Sequence, residues 1–299
     1  MQPLGTAAFY GRASATIGGV RARAEDLQGS IATGERLTRS SDDPLAASRL
    51  RRLAQAETLS TVDSANAARA SADLSLADGA LASIADSLAR ARELALQAAS
   101  GTLNDSQRAA IGSELGQLHA DLVTLANARD SAGHALFGGE TGGGAYALDA
   151  AGNATYLGTA SSGEIDLGDG ATVTRGLTGP EFFGPGGGTL DLIGRLASAL
   201  RTGLPDPRTA AQGALDAIKA ATGSIGTAQA VVGGRLAAID LTLERAARAG
   251  ELRAAEQSQL GDTDLATTIA ELQQTMLVLE ASQASFARLA SLSLFDALR

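Results

Sequence analysis

The sequence contains no cysteine and no tryptophan, and aromatic residues make up only 3% of its 299 positions. Without cysteine the chain can form no disulfide, no thiolate metal site and no cysteine nucleophile. Alanine and leucine fill long stretches, and together with the scarcity of aromatics this favours narrow helix–helix seams over a bulky globular core. Hydrophobic residues still reach 44%, so a sizeable core in two or three domains is expected.

Basic charge and long apolar runs are also scarce. The chain has a single lysine, Lys219, and a net charge of -9. Neutralising phosphates requires clustered basic residues, so we do not expect nucleic acid as a partner. No apolar run approaches the roughly 20 residues of a membrane span. The N-terminal residues 1–5 lack the charged head and apolar stretch of a cleaved signal peptide. We expect no membrane partner. The chain should either stay in the cytosol or be exported by a pathway that recognises a different signal.

Two long helices are predicted in the N-terminal part of the chain. Apolar residues recur alternately three and four positions apart over residues 12–32, which is the spacing of a helix that packs against another helix. A second helix is predicted from Pro44, because the aspartates before it can cap the first turn and proline loses no hydrogen bond at that position. Almost nothing interrupts this helix before Ser100, and at 1.5 Å per residue it would be roughly 80 Å long.

A third helix is predicted to fold back along the second. Asn104 and Gln107 have the spacing of a capping box, in which each side chain binds the other residue's backbone amide. We expect this helix to end near Gly133. A short loop between two long helices gives an antiparallel helical hairpin.

The C-terminal part of the chain is also predicted to be helical. Helical patterning resumes at Leu190, pauses at residues 204–207 and continues to about Leu260. A last amphipathic helix is predicted over residues 265–286, after possible caps at 262 and 264.

Glycine-rich sequence separates the two helical parts. Between about residues 137 and 188, short segments with a period-2 tendency alternate with turn residues, which predicts a small β region. We therefore expect a mainly α fold, in which the N- and C-terminal segments form a long antiparallel helical rod of coiled-coil type with a small β-rich inserted domain. The predicted strand segments are residues 145–148, 154–157, 164–167 and 171–174.

The predicted domain boundaries follow these changes of pattern. The helical parts at the two ends of the sequence carry the coiled-coil seams, so we expect them to pair with each other. The predicted divisions are 1–42 for an N-terminal helix and loop, 43–136 for the long helical hairpin, 137–188 for the insert, 189–260 for the returning helices and 261–299 for a C-terminal helix.

No group of residues has the spacing of a catalytic or metal site. His119 and His134 are the only histidines and stand in separate contexts, so we interpret them as a helix-face and a loop residue. Residues 184–189 resemble a phosphate-binding loop but lack the lysine after the last glycine, which favours a flexible connector. Asp42 and Asp43 could form a carboxylate pair for acid–base chemistry, but a helix cap explains them better. We expect no enzyme, no cofactor and no metal.

Four stretches, in this order along the chain, resemble signatures of the flagellin superfamily. The resemblance covers about residues 1–139 and 225–299. The stretches are Thr-Gly-Glu-Arg-Leu at 33–37 followed by Ser-Asp-Asp-Pro-Leu-Ala-Ala at 41–47, the run at 93–104, the run at 127–139, and the run that begins Asp-Thr-Asp-Leu-Ala at 262 and ends at 296.

Some details favour the branch of this superfamily that joins the hook to the filament. Pro44 stands where filament flagellins usually have alanine, the runs at 136–139 and 294–296 are junction-like, and the insert is short. The alternatives are filament flagellin itself and, in another class, a soluble coiled-coil adaptor protein.

The resemblance also implies a location and partners. Terminal segments of such subunits line an inner tube and the insert faces outward. The chain would be exported unfolded through the flagellar secretion channel, by an uncleaved N-terminal signal, to the extracellular flagellum. The expected partners are other copies in a ring, another hook-associated protein, flagellin, and an export chaperone that binds the C-terminal region.

We expect subunit contacts from apolar seam residues of both terminal helices and from charges in the loop between the first two. The candidates are Ile17, Val20, Leu27, Ile31, Arg36, Asp42, Asp43, Leu265, Ile269, Leu272, Met276, Leu279 and Phe286.

Overall fold

Helices make up most of the chain, which confirms the predicted mainly α fold. The computed structural model describes residues 4–149, 152–168, 170–204 and 206–297, without the side chains of 4–7, 9 and 290–297. Residues 1–3, residue 205 of the predicted break and the side chains at 294–296 therefore lie outside the described part. The helices are α1 (Leu4–Thr33), α2 (Pro44–Ala98), α3 (Asp105–Ala126), α4 (Gly179–Phe183), α5 (Gly188–Thr202), α6 (Pro207–Gly261) and α7 (Leu265–Ala297).

The predicted helix starts are confirmed by their hydrogen bonds. Asp43 Oδ1 accepts from the amide of Ala46, 3.0 Å away, in the first turn of α2. At the start of α3, Asn104 Oδ1 accepts from the amide of Gln107 at 2.8 Å, and Gln107 Oε1 accepts from the amide of Asn104 at 3.0 Å. This reciprocal pair is the predicted capping box.

The predicted end of α3 near Gly133 is wrong, because the helix ends at Ala126. The side chain of Asn127 donates to the carbonyl of Tyr146 at 3.0 Å and accepts from the amide of the same residue at 2.9 Å. These two bonds attach the end of α3 to the first strand. The backbone turns away there although the sequence up to Gly133 contains few helix breakers.

Each predicted strand segment contains a strand of three residues. They form two antiparallel hairpins, in which Ala147 lies opposite Thr155 and Ile165 lies opposite Val173. The insert also contains the short helix α4, which the β prediction missed. The strands are β1 (Tyr146–Leu148), β2 (Ala154–Tyr156), β3 (Glu164–Asp166) and β4 (Thr172–Thr174).

The chain divides into two compact units: Met1–Thr58 with Arg248–Arg299, and Leu59–Ala247. In the second unit, the apolar seam of α2 is buried. Three phenylalanines, Phe137, Phe182 and Phe183, fill the core of the insert with ring centroids 4.7–4.9 Å apart. The buried seam residues of α2 are Leu74, Ala77, Leu81, Ile84, Leu88, Ala91, Ala95 and Ala98.

Helices α3 and α5 pack closely at Gly112. A Cβ atom at this position would lie 2.9 Å from the carbonyl oxygen of Ala197 and 2.9 Å from Cβ of Leu200. The absence of a side chain on Gly112 therefore permits the short distance between the two helices.

The glycine-rich segment before α5 is a tight turn rather than a flexible connector. Gly188 has a φ of +45°, and a Cβ on it would overlap the carbonyl oxygen of Phe183. The hydroxyl of Thr189 donates to the same carbonyl at 3.2 Å. The turn thus packs against the end of α4 and does not provide a site for phosphate.

Candidate assembly surface

The two terminal helices, α1 and α7, pack against each other within the first unit. The ring of Tyr10 meets the ring of Phe286 edge-on, with centroids 5.5 Å apart. Nearer the other end of α1, Arg23 Nη2 lies 3.3 Å from Glu271 Oε2. The two ends of the sequence therefore pair, as the coiled-coil seams predicted.

This pairing covers the seam residues only in part. The candidate seam residues of α1 are half-buried, and Ala24 is the one fully buried residue among the described side chains of α1 and α7. Six large apolar side chains in the described part of α7 are exposed. Three of them were predicted as subunit contacts, and the other three were not predicted. The half-buried candidates are Ile17, Val20, Leu27, Ile31, Leu272, Leu279 and Phe286. The exposed apolar residues of α7 are Leu265, Ile269, Met276, Leu277, Val278 and Leu289.

These exposed residues lie around α7 rather than in a single stripe. At 100° per residue, Ile269 and Met276 lie on one flank of the α1 seam, and Val278 lies on the other. Leu277, which is 68% exposed, lies about opposite the seam residue Leu279. Apolar side chains on more than one face of α7, between polar ones such as Glu271 and Gln273, indicate contacts with more than one neighbouring surface.

A second feature holds the base of this helix pair to the end of α6. The amide of Arg36 donates to the carbonyl of Gly261 at 2.7 Å, and the amide of Thr263 donates to the carbonyl of Gly34 at 2.8 Å. The guanidinium of Arg36 donates to the carbonyl of Leu260, with Nη2 at 2.7 Å. We call residues 34–36 and 260–263 the clasp.

The candidate charges of the α1–α2 loop have separate roles in the structure. Arg36 Nη2 lies 3.6 Å from Asp43 Oδ2, and Asp43 also caps α2. Asp42 instead accepts from the amide of Arg39 at 2.8 Å, and this hydrogen bond lowers the pKa of the Asp42 carboxyl. Arg36 and Asp42 are exposed and Asp43 is half-buried. Arg36 and Asp43 therefore meet in the clasp region, whereas Asp42 stabilises the loop itself.

Helix α7 is capped by Asp264, one of the two predicted capping residues. Its carboxylate accepts from the amides of Ala266 and Thr267, at 3.0 and 3.2 Å, and from the hydroxyl of Thr267. These bonds, led by that of the Thr267 hydroxyl, lower the pKa of Asp264. Asp262 does not share this role, because it lies opposite Glu35 in the clasp.

Two ion pairs between α2 and α6 were missed by the sequence reading. Arg49 binds both carboxylate oxygens of Glu256, with Nη2 to Oε2 at 2.8 Å, and Arg253 Nε lies 3.1 Å from Glu57 Oε2. The hydrogen bond from Arg49 lowers the pKa of Glu256. Both pairs lie in the first unit, so they attach the ends of the long helices next to the clasp.

The two histidines lie in separate elements, one on a helix face and one in a loop. His134 lies exposed in the loop after α3, with Nδ1 3.3 Å from Asp130 Oδ2, and His119 is buried on a face of α3. Among the described residues, no three His, Cys, Asp or Glu side chains are placed to hold a metal ion. In the same part of the chain, no helix combines the length and the apolar character needed to cross a bilayer.

The helices and the clasp loop match a known family. Residues 6–141 match the model of the bacterial flagellin N-terminal helical region, which covers most of α1 and all of α2 and α3. The N-terminal part of the chain is thus similar to the helical region of bacterial flagellins. This confirms the resemblance for the first three of the four ordered stretches, which lie within the matched residues.

Flagellar hook-associated proteins are similar to this chain over most of its length. Flagellar hook-associated protein 3 of Escherichia coli strain K12 is 28% identical over 291 residues, which cover 89% of this chain and 90% of that protein. The solved structure of a flagellar hook-associated protein from Vibrio parahaemolyticus is 25% identical, with a TM-score of 0.68, over 74% of this chain and 100% of that chain.

A third relative supports the fold alone. The flagellar junction protein of Legionella pneumophila is 15% identical and has a TM-score of 0.57, over 72% of this chain and 100% of that chain. The predicted likeness to flagellar hook-associated protein 3 is confirmed by the Escherichia coli relative.

Proposed function

We propose that this chain is a structural component of the bacterial flagellum, an adaptor at the junction between hook and filament. The observation that carries the proposal is the set of exposed apolar residues around α7, on a helix pair built from the two ends of the chain. The similarity to hook-associated protein 3 over 90% of that protein's length supports the place in the flagellum. The role is mechanical and includes no catalytic step.

The apolar residues of α7 supply the driving force for assembly. Fully burying a leucine, isoleucine, valine or methionine side chain contributes about 1.5–3 kcal/mol. Leu277 is 68% exposed and Leu265 is 49% exposed, so about two thirds and one half of this gain, respectively, are still available at these positions in the isolated chain. We propose that residues 1–42 and 261–299 form the inner tube, where neighbouring subunits cover α7.

We propose four partners for this surface: further copies of the chain in a ring, another hook-associated protein, flagellin, and an export chaperone that covers the C-terminal region before assembly. An exposed apolar helix needs such cover, because uncovered apolar surface promotes aggregation. Charged candidates such as Arg36 and Asp43 would set the register between subunits. The route to the extracellular flagellum would be the flagellar export apparatus.

A deletion strain tests the proposed function. We expect hooks without filaments, and unpolymerised flagellin in the medium, with both defects repaired by the wild-type gene on a plasmid. Normal filaments in the deletion strain would refute the junction role. Purified protein that polymerises alone into long filaments would make the chain a filament flagellin instead.

Two variants of α7 test the assembly surface in the complemented strain. Leu277→Glu places a charge where we expect burial, so motility and filament number should fall while the secreted amount of the variant stays the same. Leu277→Met keeps an apolar side chain of similar size at the same position and should retain motility. Equal motility of the two variants would place Leu277 outside the assembly surface.

A further inference from the structure

His119 occupies an unusual position between α3 and α5 in the second unit. Its side chain is 8% exposed, and the edge of the imidazole lies against Gly194 of α5. A Cβ atom on Gly194 would lie only 3.2 Å from His119 Nε2. Among the described residues, Nε2 is buried without a hydrogen-bond partner. Nε2 thus lies against the backbone of α5, where a proton on it would meet no hydrogen-bond acceptor among the described residues.

Charged and polar groups around this contact come from three elements. A groove of about 500 Å³ runs beside it between α3, α5 and the β1–β2 turn. Asp191, one turn before Gly194 on α5, is the carboxylate that favours a charged His119, and α3 itself contributes uncharged side chains to the groove. The polar and charged residues facing this side are Ser113 and Gln117 from α3, Asn153 from the β1–β2 turn, and Asp191, Arg195 and Arg201 from α5.

The carboxylate of Asp191 is already engaged elsewhere. Its Oδ1 accepts from the backbone amide of Ala154 in β2. Asp191 therefore ties α5 to the β1–β2 hairpin, and this hydrogen bond competes with any movement of the carboxylate toward His119.

Protonation of His119 therefore opposes the packing of α5 on α3. Burial, working against the weaker attraction of Asp191, lowers the pKa of His119 from its ordinary value near 6.5. With a lowered folded-state pKa, the unfolded or opened chain binds the proton first. The contribution of His119 to the free energy of unfolding is thus complete above about pH 6.5, and it decreases as the pH falls below that value.

We propose that His119 is a proton-operated release for α5, so that mild acidification to about pH 5.5 makes α5 and the attached β1–β2 hairpin open from α3 up to about tenfold more often. The fixed elements are α2 and α3, whose seams are apolar. The part that moves consists of α5 and the β1–β2 hairpin, which the hydrogen bond between Asp191 and Ala154 joins. The change occurs below about pH 6.5, so pH 7.5 and pH 5.5 lie on its two sides, and ordinary carboxyl groups stay ionised at both values.

Hydrogen exchange at these two pH values tests the release, after correction for the intrinsic exchange rates. In the wild type, amides of α5 should lose protection at about pH 5.5 while those of residues 84–98 in α2 keep theirs. His119→Gln should remove this loss. The chain has only two histidines, so His134→Gln is a matched control and should show the wild-type loss. Unchanged α5 protection in the wild type, or the same loss in His119→Gln, would overturn the proposal.

A titration of the wild-type protein keeps the test independent of variants that fold poorly. The imidazole proton resonances of His119, assigned with His134→Gln, should titrate below the ordinary histidine value of about 6.5. The His119 transition should coincide with broadening of α5 amide signals. A His119 that titrates at or above about pH 6.5, or without any change in α5, would equally refute the proposal.

Discussion

Two glycines on α3 differ in the space that is available for a side chain. A methyl group on Gly112 would press on the carbonyl oxygen of Ala197, whereas one on Gly116 would meet no atom within 4 Å. We expect Gly112→Ala to lower the free energy of unfolding by about 1–3 kcal/mol through overpacking. Gly116→Ala should raise it by about 0.5–1 kcal/mol, because alanine favours the helix. Denaturant unfolding followed by circular dichroism measures both, and changes of the same sign would contradict the close packing of α3 on α5.

A second residue-level prediction separates the two roles of Asp43. Asp43→Ala removes the cap of α2 and should lower the free energy of unfolding by about 1 kcal/mol. Asp43→Asn keeps an oxygen that can accept from the amide of Ala46 and loses only the charge facing Arg36. Since an exposed ion pair contributes little, the asparagine variant should lose less. The same unfolding measurement decides, and an equal loss in both variants would show that the charge, not the cap, stabilises this helix start.

At the scale of elements, local sequence determines most helix starts and strands. The capping box at Asn104 and the period-2 segments of the insert act through neighbouring residues, so they could be predicted. The end of α3 could not, because Asn127 binds a strand 19 residues away. Helix α4 is only five residues long, and its capping pair of Thr178 and Glu181 lies within a glycine-rich stretch that indicates turns.

The candidate surface was predictable to a similar extent. The stripe of α7 from Leu265 to Phe286 was found, since a three–four repeat identifies one seam of a helix. Leu277 and Val278 were missed because they lie outside that repeat, and only the structure shows that α1 leaves them uncovered. The pair of Arg49 and Glu256 spans 207 positions, a separation at which sequence periodicity carries no information.

The clasp gives a prediction for a pair of elements. Arg36→Ala removes the guanidinium that binds the carbonyl of Leu260, so the backbone bridge beside it should open more often. The amides of residue 36 and of Thr263, which cross this bridge, should then exchange faster with solvent.

Arg39→Ala is the matched control for the clasp. It removes the same charge from an exposed side chain of the same loop and should leave these two amides unchanged. Hydrogen exchange read by mass spectrometry, on peptides covering 34–36 and 260–263, makes the comparison. Similar exchange in both variants would show that net charge, and not the bond to Leu260, holds the clasp.

At the scale of the whole molecule, burial is distributed very unevenly between the two units. The seam of α2 in the second unit contributes many side chains with no exposed surface, such as Leu74, Leu81 and Leu88. Among the described side chains of α1 and α7, Ala24 alone is fully buried. Since helical stability in proteins comes mainly from the packing of an apolar face, the terminal pair must be much less stable than the interior of the second unit.

This difference predicts how the isolated subunit behaves in solution. At a concentration where sedimentation shows a monomer, amides before residue 32 and after residue 265 should exchange quickly, and those of residues 74–98 should exchange slowly. Leu277→Glu should leave this pattern unchanged, because Leu277 has no cover to lose in the monomer. Strong protection of both terminal helices in the monomer would mean that α1 and α7 are stable as a pair, and the exposed apolar residues of α7 would then not require neighbouring subunits for order.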